Sequence, residues 1–478
     1  MTNRIAILGA GPGGYTAAVK AAQMGADVTV IEKDTAGGTC LNRGCIPSKV
    51  LITTAELLEK MKKADSYGIA LEGSARVDMP ALMERKNRIV KIQTDGIRNL
   101  LKHHRVNYIQ GTGRIRGDHL AVVRTDQGEE HQVPWDKFII AAGTRPFELP
   151  ELPFDGERIL SSDHALNLHD VPESVLIVGG GVIGCEFAFL LSALGAGVTV
   201  VEAMSRMLPL PSVDEDCSKI LQREMKKRKI GFMVNRTVAG AEERDGKLNV
   251  EIRPSPFGGD PSKKGEEPYF QQVDKILVCI GRTPVTSEIE GLDSLGVKAD
   301  DRGWIRANEK LETGNPDVYA VGDILGPTKI MLAHVAWSEG MTAAQNAMGG
   351  EKSMNYDTVP GAIFTSPEVA NVGLTETRAR EEGYRVRADS ALFRLLGKAQ
   401  ALGEIAGEAK IISEIDSGRV LGVHMIGPHA TDLIAEATLA IHMKATVRDL
   451  AETIHAHPTL PEIMMETSLK AMDQPLHG

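Results

Sequence analysis

An α/β fold is what the sequence predicts: two doubly wound parallel units, then a C-terminal α+β domain. Three observations carry that prediction. Residues 4–8 (RIAIL) form the short apolar run that a buried parallel strand needs, and Gly9-Ala10-Gly11-Pro12-Gly13-Gly14 follows at once. An Ala-rich helical stretch over 15–24, a stop at Gly25 and a second strand over 27–31 closing on Glu32 complete the unit. The same series then recurs, each landmark displaced by 170 residues: Gly9 to Gly179, Gly25 to Gly195, Glu32 to Glu202. From Asn355 onward the pattern changes to alternating strands, such as 409–413 and 420–424, with a helix over 431–444.

Each unit has the local chemistry of a Rossmann-like dinucleotide site. Gly9, Gly11 and Gly14 let the backbone approach a pyrophosphate, which the start of the helix stabilises, and Glu32 can accept hydrogen bonds from a ribose. Gly179, Gly181, Gly184 and Glu202 repeat the arrangement. A carboxylate at 202 pairs with a free 2′-hydroxyl and repels a 2′-phosphate, so NAD is expected over NADP. Arg206 stands near enough in sequence to receive a phosphate, against which an arginine on a surface loop is the commoner reading.

Cys40 and Cys45 lie in the stretch from Gly37 to Lys49 with four residues between them. That is too wide for Cys-x-x-Cys and unlike zinc spacings, so a redox dithiol is the better reading and a pair of buried structural thiols the alternative. Pro47 suits a first helical turn. Cys45 is therefore expected near a helix N-terminus, where partial positive charge favours the thiolate, with Lys49 adding a full charge one turn on. Cys185 and Cys279 read as small core residues, and Cys217 carries no signal. Two dinucleotide units and one dithiol imply two electron carriers, a bound flavin and a nicotinamide that comes and goes.

Between the units, 80–104 is a long basic amphipathic stretch and 138–144 a strand ending in a turn; Pro146, Pro150 and Pro153 mark a domain boundary. Residues 254–268 are polar and rich in Gly, Pro and Lys, and are expected to form an exposed hairpin loop. Residues 313–323 end a strand on Asp323, which would bond a flavin's ribityl chain or have no function. Near the C-terminus, His457 and Glu462 stand five apart with Pro458 and Pro461 between them. Such a pair can form an acid/base dyad in which the acid orients the ring, although a lone His-Glu pair is more often structural.

A chain of 478 residues suggests three or four domains, and its formal charge of −10 argues against nucleic acid as a partner. No apolar run is long enough to span a bilayer and five cysteines are no secreted disulfide framework, so the cytoplasm is the expected location, with no membrane partner.

The stretches GGTCLNRGCIPSK, GGGVIGCE, TGNPDVYAVGD, MLAHVAWSEG, FTSPEVANVGLTE, GVHMIGPHATDLIAEATLAI and HAHPTLPE resemble, in order, those of the pyridine nucleotide-disulfide oxidoreductases. The resemblance spans nearly the whole chain. It implies an FAD-binding domain over 1–149, an NAD-binding domain over 150–280, a central domain over 281–352 that completes the FAD site, and an interface domain over 353–478 that makes a homodimer. By resemblance, Cys45 is the thiol beside the flavin and Cys40 the interchange thiol. His457 is the base, oriented by Glu462 and supplied by the opposite subunit, while Lys49 lies beside the flavin and pairs with Glu186. For FAD the resemblance points to Gly9, Gly11, Gly14, Glu32, Thr39, Lys49, Gly113, Gly143, Asp323 and the run Met331, Leu332, Ala333, His334. For NAD it points to Gly179, Gly181, Gly184, Glu202 and, more loosely, Val238 and Gly281.

Three positions depart from the family pattern: Arg43 where an apolar residue is common, Ala142 where threonine is common, and Pro461 where serine is common. A charge at 43, between the cysteines, could retune the dithiol or its partner's approach. The implied reaction passes electrons from protein-bound dihydrolipoamide through a Cys40–Cys45 disulfide and FAD to NAD. Any lipoyl group would come from another protein, of a 2-oxoacid dehydrogenase or glycine cleavage complex. The runner-up is an NAD(P)H-dependent disulfide or metal reductase resembling glutathione or mercuric reductase, and a flavin-binding scaffold subunit is the rival of another class.

Overall fold

The computed structural model describes residues 3–117, 119–257 and 267–478; of the loop expected over 254–268, residues 258–266 lie outside it. Two five-stranded parallel sheets and one five-stranded antiparallel sheet organise the chain. The first sheet runs Val318–Ala320, Lys137–Ile140, Arg4–Leu8, Asp27–Glu32, Asn107–Gln110 from edge to edge, all parallel. The second runs Ile159–Leu160, Lys275–Val278, Ser174–Val178, Gly197–Val201, Gly231–Met233, again all parallel. Strands covered on both faces must be apolar throughout, and Ile5, Ile7, Ile139, Leu176 and Ile177 are accordingly buried to within 1% exposure.

Strand for strand the two sheets repeat each other, and each carries a three-stranded antiparallel excursion before its fourth strand: 112–134 in the first, 236–273 in the second. Only the edge strands break the repeat. The first sheet takes its edge from far downstream, at 318–320, and the second from upstream, at 159–160. The first unit's chain therefore leaves after Ile140, builds the whole second sheet over 159–278, and returns to close its own sheet at 318–320. Where the two connections pass, Thr144–Pro146 and Arg282–Pro284 pair as an antiparallel two-stranded sheet.

The glycine loops show why the repeat is so exact in spacing. Gly9 and Gly179 sit at φ +106° and +105°, in the left-handed region, and a Cβ on either would lie 2.3–2.4 Å from a backbone oxygen, that of Ala141 or Cys279. Gly14 and Gly184 let the helix press on the strand, since a Cβ there would stand 1.9 Å from the oxygen of Gly9 or Gly179. The first helix, Pro12–Gln23, starts three residues before the expected position because proline is tolerated in a first turn. It packs on Ala333–Ala347 through small residues, where a Cβ on Gly340 would meet the oxygen of Gly13 at 2.2 Å.

The third sheet, ordered Gly361–Ile363, Glu368–Gly373, Val420–Gly427, Glu408–Glu414, Val386–Leu392, is antiparallel and packs on the helix Ala430–His442. Cys185 and Cys217 are buried and Cys279 is half-buried. Gly14→Ala would force the helix off the strand, and we expect a loss of about 1–3 kcal/mol, the usual cost of overpacking, in a denaturant-unfolding measurement. Wild-type stability in that variant would contradict the close approach.

Candidate active site

Two helices meet at the dithiol. Gly37, at φ +102°, opens the short helix Gly38–Arg43, Gly44 interrupts it, and Cys45 is the first residue of the helix Cys45–Lys62. Asn42 fixes the short helix by donating from Nδ2 to the oxygens of Gly38, Ala36 and Thr35 at 3.0, 3.2 and 3.3 Å, and accepts from Thr94 Oγ1 at 3.2 Å. Cys40 is half-buried and Cys45 exposed, both as free thiols close enough to act on each other's acidity.

That closeness makes the pair unequal. The Cys40 side chain holds the Cys45 thiol below its ordinary range, helped by Lys49 and opposed by burial and Glu186, while Cys45, then burial, pushes Cys40 well above it. Lys49 Nζ lies 2.9 Å from Glu186 Oε2 and 3.0 Å from Oε1. The same carboxylate accepts from the backbone N–H of Phe364 at 3.0 Å, and Lys49 Nζ stands 4.2 Å from the centre of the Phe364 ring. One lysine thus ties the dithiol helix to the second unit and to the C-terminal domain. The other thiols are inert by comparison, burial pushing Cys185 up to about 12.

The two glycine loops fit dinucleotides on three grounds. A Cβ at Gly143, Gly181 or Gly281 would meet nothing within 4 Å, and at Gly11 only the Cα of Gly38 at 3.8 Å, so these glycines border open space rather than packed side chains. The helices that begin after Gly11, Gly181 and Leu332 have no side-chain cap, which leaves their first-turn N–H groups for an anion. Third, each unit keeps a carboxylate beside its loop: Glu32 accepts from the N–H of Ala10 at 2.7 Å and of Asp34 at 2.8 Å, and Glu202 from Gly180 at 2.5 Å and Met204 at 2.7 Å. Both acids therefore brace their own loops, and each oxygen retains lone-pair capacity for a ribose hydroxyl.

Arg206 is neither an exposed surface residue nor free to take a phosphate. Its Nη1 and Nη2 donate to the oxygens of Leu208, Leu210 and Val213 at 2.8, 3.0 and 2.9 Å and to Ser218 Oγ at 2.5 Å. Closing the 206–218 loop consumes its donors. Thr39 lies in the first turn of its short helix. Gly113 serves packing, since a Cβ there would reach Leu8 and Ile31 at 2.9 Å, and Val238 is buried in the second unit's core. Met331 and Leu332 precede the helix that Ala333 opens, and His334 donates from Nε2 to the oxygen of Pro360 at 2.9 Å, burial lowering its affinity for a proton.

Asp323 sits just after the first sheet's edge strand, and its Oδ2 accepts from Thr144 Oγ1 at 3.4 Å. Burial pushes its carboxyl up. Arg282 in turn donates from Nε to Thr144 Oγ1 at 2.7 Å and from Nη2 to Thr144 O at 3.0 Å. Sequence reasoning missed Arg282 and Thr144. A signal was present: Gly143-Thr144-Arg145-Pro146 and Gly281-Arg282-Thr283-Pro284 are the same G-x-x-P turn closing equivalent strands.

At the other end of the chain, His457 Nδ1 donates to Glu462 Oε1 at 2.8 Å, and Glu462 Oε2 accepts from the N–H of Thr459 at 2.8 Å. Burial works to raise the Glu462 carboxyl, but the His457 and Thr459 bonds outweigh it and hold it below its ordinary range. The imidazole is 77% exposed, and among the described residues neither cysteine bonds to His457 or Glu462.

Residues 3–340 match the pyridine nucleotide-disulphide oxidoreductase family, and 359–468 match its dimerisation domain. The chain belongs to the pyridine nucleotide-disulphide oxidoreductases. It is 40% identical to a dihydrolipoyl dehydrogenase of Chlamydia muridarum over 98% of this chain and 97% of the relative, and 38% identical to one of Bacillus subtilis over 99% and 100%. The crystal structure of LpdA from Mycobacterium tuberculosis superposes with a TM-score of 0.89 at 27% identity, covering 98% of this chain and 100% of that one. Members of this oxidoreductase family use FAD and NAD, which matches the two cradles. No described helix is long and apolar enough to cross a membrane.

Lys49 is the cation whose charge most favours the Cys45 thiolate. Lys49→Met should therefore raise the Cys45 thiol by about 1 pH unit, the size expected for losing a neighbouring opposite charge. A thiolate absorbance titration of the reduced enzyme measures it, and an unmoved curve would remove Lys49 from the account.

Proposed function

We propose that this oxidoreductase takes electrons from a protein-bound dihydrolipoyl group and delivers them to NAD by way of a Cys40–Cys45 disulfide and FAD. The observation that carries the reading is the pair of thiols Cys40 and Cys45 at the head of a helix that Lys49 fastens to the second glycine-loop unit. Full-length similarity to dihydrolipoyl dehydrogenases supports the substrate.

In this reading His457 of one subunit takes a proton from one thiol of the dihydrolipoyl group at Nε2, because Nδ1 already donates to Glu462. The new thiolate attacks the Cys40 sulfur, the Cys40–Cys45 bond breaks, and Cys45 leaves as the thiolate that its surroundings favour. The second lipoyl thiol displaces Cys40, closing the lipoyl disulfide and leaving both cysteines reduced. FAD and NAD, when bound, would supply the hydride-transfer chemistry that no side chain here has. Around FAD we place Gly9, Gly11, Gly14, Glu32, Thr39, Lys49, Gly113, Gly143, Asp323 and the run Met331, Leu332, Ala333, His334. Around NAD we place Gly179, Gly181, Gly184, Glu202 and, more loosely, Val238 and Gly281. Glu202 and the internally committed Arg206 favour NAD over NADP.

We assign 1–149 to FAD binding, 150–280 to NAD binding, 281–352 to completing the FAD site and 353–478 to a homodimer interface, with lipoyl-carrying proteins of 2-oxoacid dehydrogenase or glycine cleavage complexes as partners. The match to a dimerisation domain supports the homodimer.

Cys45→Ser is expected to retain FAD and lose all lipoamide turnover. His457→Gln is expected to slow dithiol oxidation by the 10²–10⁴-fold, in order of magnitude, that a lost general base costs. Steady-state assays with NAD and NADP in parallel test the nucleotide; preference for NADP, or full activity in either variant, overturns the corresponding assignment.

A further inference from the structure

Glu339 is a buried carboxylate to which the proposed reaction gives no part. It lies on the helix Ala333–Ala347, which packs on Pro12–Gln23, and is 1% exposed, with no ion pair among the described residues. A charge so placed costs stability unless hydrogen bonds satisfy it, and two do. Oε1 accepts from the Tyr356 hydroxyl at 2.7 Å and Oε2 from the backbone N–H of Gly322 at 2.7 Å. The chain leaves the first sheet at that point. The N–H of Val321 still bonds the Ile140 oxygen at 2.9 Å, and Gly322, at φ +77°, turns away in the left-handed region. Asp323 follows at once. Its Oδ2 accepts from Thr144 Oγ1 at 3.4 Å, while Oδ1 receives no hydrogen bond among the described residues.

Tyr356 is held in its turn. Lys329 Nζ stands 4.7 Å from its ring centre. The segment that carries it is tied to the same helix on either side of it, Met354 Sδ accepting from Thr342 Oγ1 at 3.4 Å and the Pro360 oxygen from His334 Nε2 at 2.9 Å. Residues 354–360 thus form a strap across the helix, and they run into the stretch from 359 that matches a dimerisation domain.

We propose that Glu339 and Tyr356 are positioning residues for FAD: Tyr356 orients the Glu339 carboxylate, Glu339 fixes the N–H of Gly322, and the turn so fixed presents Asp323 to the ribityl hydroxyls. This rests on the placing of Asp323 beside FAD in the proposed function. The strap thereby makes the hold on FAD depend on the lead-in to the C-terminal domain.

The test is the rate at which the holoenzyme releases FAD after dilution, read as flavin passing a membrane filter, with NADH affinity measured on the same samples. Tyr356→Phe should speed release about three- to tenfold, the size of one lost hydrogen bond, and leave NADH affinity unmoved. A general loosening of the fold would weaken both. Glu339→Met should speed release at least as much. Glu339→Gln should keep the wild-type rate, because its carbonyl still accepts from Gly322 and its amide can donate to the Tyr356 oxygen. Adding Tyr356→Phe to Glu339→Met should change nothing further, since the tyrosine acts only through the carboxylate.

Wild-type release from Tyr356→Phe would overturn the proposal, as would FAD and NADH binding failing together, or additive effects in the double variant. Should Glu339→Met not fold, Tyr356→Phe and Glu339→Gln decide. Asp323→Ala in the same assay separates the two failures. Wild-type release there would remove Asp323 from the flavin and overturn the reading on which this one rests, whereas fast release there with wild-type release from Tyr356→Phe overturns the positioning alone.

Discussion

The insertion of the whole second sheet between the first sheet's strand Lys137–Ile140 and its edge strand Val318–Ala320 is the constraint on which the neighbourhood of Cys45 depends. The first unit closes its sheet only after its chain has left for the second and come back. The outgoing and returning connections must pass, and they pass as the paired strands Thr144–Pro146 and Arg282–Pro284. That pairing carries Arg282 onto Thr144, Thr144 onto Asp323, and the helix Ser162–Ala165 into reach of Arg43. Two independent dinucleotide folds strung on a linker would be free to swing. Crossed in this way, their glycine loops are held in fixed relation to one dithiol, which a transfer of electrons between two carriers requires.

Within that frame the dithiol helix is fastened by charge rather than by apolar packing alone. Lys49 and Glu186 are a half-buried pair, with side-chain exposures of 29% and 10%. A pair so placed adds little net stability, because desolvation offsets much of its attraction. Its worth is positional. Glu186 holds Lys49, the N–H of Phe364 and thereby three domains to one point, and Lys49 spends the rest of its field on Cys45. The nearness of the thiols then splits their acidities, so that one sulfur is suited to leave as an anion and the other to be attacked.

Much of this was legible in the sequence because the physics is local. A glycine at positive φ beneath a crossing strand, a helix that starts without a side-chain cap, and an acid at the end of the second strand each leave a mark on neighbouring residues, and the displacement of 170 repeats all of them. Pro47 placed Cys45 at a helix start for the same reason. What escaped was non-local. Arg206 looked like a loop arginine because nothing in the sequence says that three carbonyls and Ser218 would close around it. Gly113 and Val238 were carried over by resemblance, and they lie in packed surroundings that pattern alone does not reveal. Arg43 looked like a charge aimed at the cysteines and instead pairs with Asp34 at 2.7 Å, since spacing gives a side chain's position along the chain and not its direction.

The dyad of His457 and Glu462 stands at the surface of the C-terminal domain, its imidazole 77% exposed. His455, two residues before, bonds Glu436 at 3.0 Å and so pins the 453–457 segment to the helix Ala430–His442. Leu439, three residues after Glu436 on that helix, and Met443, just past its end, are 62% and 68% exposed, and Ile454, next to His455 in the chain, is 96% exposed. Apolar side chains gathered so openly are costly to leave in water and mark a surface meant to be covered. The domain that bears them matches a dimerisation domain. A general base left in bulk solvent gains little from an orienting carboxylate, because water competes for both; the same base beside a covered apolar surface keeps its tautomer and its partner. In the function proposed above, one second copy of the chain, laid against this domain, would cover both the exposed dyad and the exposed apolar side chains.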